Sequence, residues 1–130
     1  MQVLQPPGWA RPRGYSNGIA ATGRMVFVSG MIGWDANCEF QTDDFAGQVR
    51  QAFENILTVL KEAGGGPEHI ARMTWYVVDK HEYMGAYKDI GAIYRELIGR
   101  HYPAMTAVEV AGLLEPRARV EIEVTAVVPA

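Results

Sequence analysis

A chain of 130 residues, 48% hydrophobic and 21% charged, can fill one continuous core but is too short for two domains, so residues 1–130 are read as a single domain. Its net charge of −3 withholds the basic footprint of a nucleic-acid binder, and no apolar run approaches the roughly 20 residues of a membrane span. The lone cysteine, Cys38, allows no intrachain disulfide, and MQVLQPPGWARPRGY has no apolar leader, so the expected location is the cytoplasm.

Along the chain, Val3-Leu4 reads as a short strand and PPGWARPRG as irregular. SNGIAATGRMVFVSG reads as a hairpin that turns at Thr22-Gly23, with Ile19 to Ala21 before it and Met25 to Ser29 after it. The run Met25-Val26-Phe27-Val28 predicts burial on both faces. MIGWDANCEF follows as a loop. Residues 43–63 carry Phe45, Val49, Phe53, Ile56, Leu60 and Ala63 at helical spacing. Asp43 and Asp44 supply a cap, and Gly64-Gly65-Gly66-Pro67 a stop.

IARMTWYVV, residues 70–78, alternates as a strand, with Met73, Trp75 and Val77 on one face. A second helix is predicted over 81–98, with Tyr83, Tyr87, Ile90, Tyr94 and Leu97 as its stripe and Asp79 and Glu82 spaced as a capping box. YPAMTAVEVAGLLEPRARVEIEV reads as a closing hairpin, roughly 105–111 and 119–128. The order β-β-α-β-α-β-β predicts an α+β domain with about six strands in a mixed sheet and two helices on one face. The uncovered face of such a sheet predicts self-association.

Chemistry is sparse. GGGPEH lacks the lysine of a phosphate loop, and no G-x-S-x-G elbow is present. His69, His81 and His101 are too far apart for paired metal ligation, and Cys38 has no base nearby in sequence to activate it as a nucleophile. Glu109, Glu121 and Glu123 are the informative set. They form either the solvated face of a hairpin, paired with Arg117 and Arg119, or a site in which one carboxylate at a subunit boundary passes protons to water.

GYSNG, FVSGMIG, QVRQAFENILTVLKEAGG and PAMTAVEVAGLLEPRARVEIEVTAV occur in an order and spacing that resemble the RidA family, also called YjgF/YER057c/UK114. The resemblance runs from about residue 14 to 128. It implies a chorismate-mutase-like fold and a homotrimer whose sheets wrap a central barrel, with clefts between subunits. It also implies hydrolysis of enamines and imines to 2-oxo acids and ammonia, with no cofactor. On this resemblance Glu121 matches the water-positioning glutamate, Tyr15 a cleft tyrosine, and Ser29-Gly30 the ligand-facing end of a strand.

The chain also departs from the family pattern. Met105 stands where active deaminases carry the arginine that grips the substrate carboxylate. Ala107 replaces a Cys or Ser, Met31 and Gly33 replace the Gln and Pro of SGQIP, and Gly91 falls near a cleft asparagine. Two functions follow. One is a deaminase for a less acidic, more apolar substrate, with Tyr15, Ser29, Gly30, Met31, Met105 and Ala107 around the cleft and Arg119 or Arg117 as a relocated anchor. The other is a non-catalytic trimer that binds a small molecule or serves a regulatory role. Neither involves nucleic acid or a membrane.

Overall fold

The computed structural model describes all 130 residues. The elements are β1 (Gln2–Leu4), β2 (Gly18–Ala20), β3 (Arg24–Ile32), α1 (Phe45–Glu62), a 3₁₀ turn (Pro67–His69), β4 (Ile70–Val77), α2 (Lys80–Gly85), α3 (Tyr87–Leu97), β5 (Ala104–Glu109) and β6 (Val120–Val128). No helix is long and apolar enough to cross a membrane.

Helix α1 forms as its punctuation dictates. The Asp44 carboxylate accepts from the backbone N–H of Gly47 at 2.9 Å and so satisfies a donor of the first turn. Gly64, at φ 73°, leaves the helix through the left-handed region that favours glycine. Val49, Ala52, Phe53, Ile56 and Leu60 are fully buried against the sheet. The predicted second helix is broken instead. Gly85, a poor helix former, ends α2, and Ala86, at ψ 9°, restarts the chain as α3. Asp79 caps α2 by accepting from His81 N–H, whereas Glu82 turns away from the cap toward Arg119.

Six strands are present, but they divide into a β1-β2 ribbon and a four-stranded sheet ordered β3-β6-β4-β5. Both expected hairpins are therefore absent. β2 pairs with β1, and β3 pairs with β6. β5 and β6 are not neighbours, because β4 lies between them. The helices α2 and α3 form the crossover that a parallel β4-β5 pair requires, and the loop over 110–119 is long enough for β6 to pass β4. β6 is the strand most suited to the centre, since Val120, Ile122, Val124, Ala126 and Val128 are all buried.

The core lies between α1, α3 and one sheet face, and Met73, Trp75 and Val77 point into it. The other face is open. Met25 is 58% and Phe27 71% exposed there, which corrects the expectation that this run is buried on both sides. Val28 alternates into the core, as a half-covered strand requires.

Candidate functional site

The three strand glutamates sort by partner. Glu123 accepts the Tyr76 hydroxyl at 2.6 Å, a bond that raises the tyrosine's pKa by holding the phenol protonated. Glu109 accepts from the backbone N–H of Lys80 at 2.8 Å, at the start of α2. Glu121, half-buried on the open face, has no hydrogen-bond partner in its own chain.

The two arginines do not pair with these strand carboxylates, as the solvated-hairpin reading had them do. Arg117 bonds Asp43 at 2.9 and 3.1 Å, and Arg119 forks onto Glu82 at 3.0 and 3.2 Å. The candidate anchor Arg119 is thus already occupied, and the Glu82 carboxylate raises its pKa further.

Glu121 faces a bulge. Val28 pairs with Val124 and Met31 with Ile122, so Ser29 and Gly30 on β3 oppose the single residue Glu123 on β6. A β-carbon on Gly30 would lie 2.5 Å from Glu121 Oε2 and 2.7 Å from its carboxyl carbon. Only a bare residue lets this carboxylate lie over the strand. Met31 turns to the helix side and packs on the core, apart from Ser29 and Gly30.

The other expected residues gather across the sheet. Beside β5 a depression of about 700 Å³ is lined by Tyr15, Trp75, Tyr83, Tyr87, Tyr94 and Tyr102, with Met105 among them. That volume is within the usual span of small-molecule sites, roughly 300–1,000 Å³. Trp75 meets Phe53 and Tyr83 edge-on, each with ring centroids 5.6 Å apart, and Tyr102 stacks on Tyr94 at 5.4 Å. The Tyr94 hydroxyl donates to the carbonyl of His101, and burial raises its pKa. Burial also raises that of Tyr83. Both phenols stay neutral at working pH.

Tyr15 is brought to this depression by the next residue, Ser16. Its N–H donates to Pro103 O at 3.0 Å and its hydroxyl to Tyr102 O at 2.5 Å. Ala107 stands two residues beyond Met105 on the same face of β5, exposed. In one chain, then, Tyr15 and Met105 lie on one side of the sheet, and Ser29, Gly30 and Glu121 on the other.

Three features of the depression escaped the sequence reading. Trp75 is 1% exposed, and its Nε1 is the one buried side-chain polar atom without a hydrogen-bond partner. Leaving such a donor unpaired costs about 1–3 kcal/mol. Arg13 and Arg95 form the rim. Nothing marks either arginine in sequence, although the tyrosines recurring along the second helix are an unusually polar choice for a core stripe.

A family profile described as Endoribonuclease L-PSP matches residues 9–128. The chain belongs to the RidA family. Among RidA-family relatives, a RutC family protein of Aquifex aeolicus is 32% identical over 98% of this chain and 99% of its own. A 2-iminobutanoate/2-iminopropanoate deaminase of Salmonella typhimurium is 32% identical over 81% of this chain and 80% of that one. The crystal structure of a Rid-family protein, YyfB of Yersinia pestis, superposes with a TM-score of 0.83 at 29% identity, covering 98% of both chains. The α+β fold with its mixed sheet is thus that of solved RidA-family structures, and imine deaminases occur among the chain's relatives.

Proposed function

We propose that this chain is a hydrolase of carbon–nitrogen double bonds, working at clefts between copies of a homotrimer in a reducing, cytoplasmic setting. The observation that carries the reading is Glu121, the strand glutamate without a partner, lying on a glycine bulge. Named imine deaminases among the relatives supply the reaction class. The open sheet face with Met25 and Phe27 supports the assembly, because exposed apolar side chains of this size favour a partner surface. The separation of Tyr15 and Met105 from Glu121 supports it too: a neighbouring copy brings the two halves together.

In this mechanism the Glu121 carboxylate accepts a proton from water as the oxygen attacks the C=N carbon. The proton passes to nitrogen, the carbinolamine collapses, and the C–N bond breaks. Water and imine become a carbonyl compound and ammonia, with no redox change. Backbone N–H groups at Ser29 and Gly30, outside the paired register, stabilise charge as it develops. Met105, half-buried and without a donor, selects a substrate with a larger apolar body than 2-iminopropanoate carries.

A non-catalytic ligand-binding trimer is the second reading, favoured by that same methionine. Imines generated in situ by an amino-acid oxidase, small and bulky, distinguish the two. Ammonia release abolished by Glu121→Gln, with the trimer intact by sedimentation, supports hydrolysis. Absence of turnover across the panel supports the binding role.

A further inference from the structure

Met105 carries no charge, but the depression around it holds two cations. Arg13 and Arg95 both line it, and neither makes an ion pair or a side-chain hydrogen bond in this chain. By contrast Arg50, Arg117 and Arg119 are each held by a carboxylate. Arg95 also has a specific seat. A β-carbon on Gly91 would lie 3.3 Å from Arg95 Nη1, so the guanidinium lies across the bare turn of α3 one turn before it. A β-carbon at position 91 would crowd it there.

Beneath the rim are the tyrosine rings and the Met105 thioether, with Trp75, whose buried indole N–H is unpartnered, also lining the depression. A cationic rim over an aromatic floor with one spare donor describes a particular ligand. It has a planar or bulky apolar body, an anionic end, and a further acceptor near the floor.

We propose that Arg95 is the relocated carboxylate anchor of this site, and that the ligand is a 2-imino or 2-oxo acid with an aromatic or large apolar side chain. The side chain seats on Tyr83, Tyr87 and Met105. The carboxylate meets Arg95 at the rim through a charge-assisted contact. Trp75 Nε1–H is the donor for the ligand's remaining acceptor. The inference rests on the deaminase reading for its imino-acid class, and it returns the acidic end that Met105 alone argues against. Arg95 is a specificity residue here; it moves no proton.

The test is equilibrium binding, so that it does not depend on turnover. Phenylpyruvate is titrated into the full-length wild type, Arg95→Gln, Arg95→Lys, Arg13→Gln and Trp75→Phe, with phenylacetone as the ligand that lacks the carboxylate. The expected result is that Arg95→Gln weakens phenylpyruvate about 10- to 100-fold, as loss of a charged contact does. Arg95→Lys recovers part of this, and phenylacetone changes less than about twofold. Trp75→Phe weakens phenylpyruvate several-fold.

Equal affinity of wild type and Arg95→Gln for phenylpyruvate overturns the proposal, as does an effect carried wholly by Arg13→Gln. So does failure of the wild type to prefer phenylpyruvate over phenylacetone. The deaminase reading is judged separately by ammonia release. If Glu121→Gln abolishes turnover while Arg95→Gln leaves binding untouched, the anchor fails and the chemistry stands. If nothing is turned over but Arg95 governs binding, the reverse holds.

Discussion

Gly30 and Glu121 occupy one another's space: the carboxylate oxygen of Glu121 lies 2.5 Å from where a β-carbon on Gly30 would be. Alanine at position 30 therefore displaces the carboxylate without touching the core. Gly30→Ala is expected to keep its stability within about 1 kcal/mol, because the atoms in the way belong to the flexible end of the Glu121 side chain, outside the core. Imine turnover is expected to fall at least about tenfold, since a misplaced base loses its alignment with water. Parallel thermal melts and ammonia-release assays check this. Full activity in Gly30→Ala removes Glu121 from the reaction.

The proposed two-copy site predicts rescue by mixing. Glu121→Gln and Tyr15→Ala are each expected to be inactive as pure trimers. Unfolded together in equal amounts and refolded, they are expected to regain roughly a quarter of wild-type activity, because about one interface in four joins a native Glu121 to a native Tyr15. No recovery in the mixed assemblies means that both residues act within one chain.

The proposed assembly rests on the open face. Phe27→Glu places a charge on an exposed apolar position that makes no core contact in the single chain. The chain is expected to stay folded by circular dichroism but to sediment as a monomer. Activity is expected to vanish with the assembly.

Gln48 is fully buried, and its side chain ties the loop before α1 to the loop before β6. Its Nε2 donates to Thr42 O at 3.1 Å and Arg117 O at 3.0 Å, and its Oε1 accepts from Arg119 N–H at 2.8 Å. Gln48→Leu keeps the volume and leaves three backbone groups unpaired. A loss of about 3 kcal/mol in urea unfolding is expected, since the orphaned groups cost more than the bonds contribute. The bare Gly33 is part of the same packing: its β-carbon would lie 2.5 Å from Gln48 Cβ.

Asp35 gives the pH dependence. Its carboxylate accepts from the N–H groups of Glu39 and Asn37, which hold its pKa below the usual 3.8. A depressed carboxyl stabilises the fold above its unfolded value and ceases to do so as pH falls through the folded one. The stability advantage of wild type over Asp35→Asn is therefore expected at pH 6 and should shrink progressively below about 3.8. Chemical denaturation at pH 6 and at pH 3 measures it. A constant difference contradicts the assigned bonds.

What the sequence made legible was local. Asp44, the stripe from Phe45 to Leu60 and the glycines after Ala63 define α1 without help from the rest of the chain. Alternation likewise marks Trp75 and Ile122 as core. Pairing was not legible, because alternation says which face a residue takes and nothing about its neighbour strand. Two runs joined by a loop were read as hairpins, although β2 pairs with β1 and β4 comes between β5 and β6. The break at Gly85-Ala86 was overridden by a continuous tyrosine stripe. In the site, Glu121 and Gly30 were within reach of the resemblance. Arg13 and Arg95 were not, since only the meeting of the irregular N-terminal stretch with α3 beside β5 brings them to one rim.

One layer of backbone stands between the aromatic recess and the carboxylate that faces away from it. Each side can drift without disturbing its opposite, because alternate residues on a strand answer to different surroundings. Substitutions at Met105, Tyr87 or Arg95 would re-key what is held and leave the Glu121 side unaltered. A lineage bearing this fold can thus exchange the molecule it acts on by revising one surface, much as a tool changes its bit and keeps its motor.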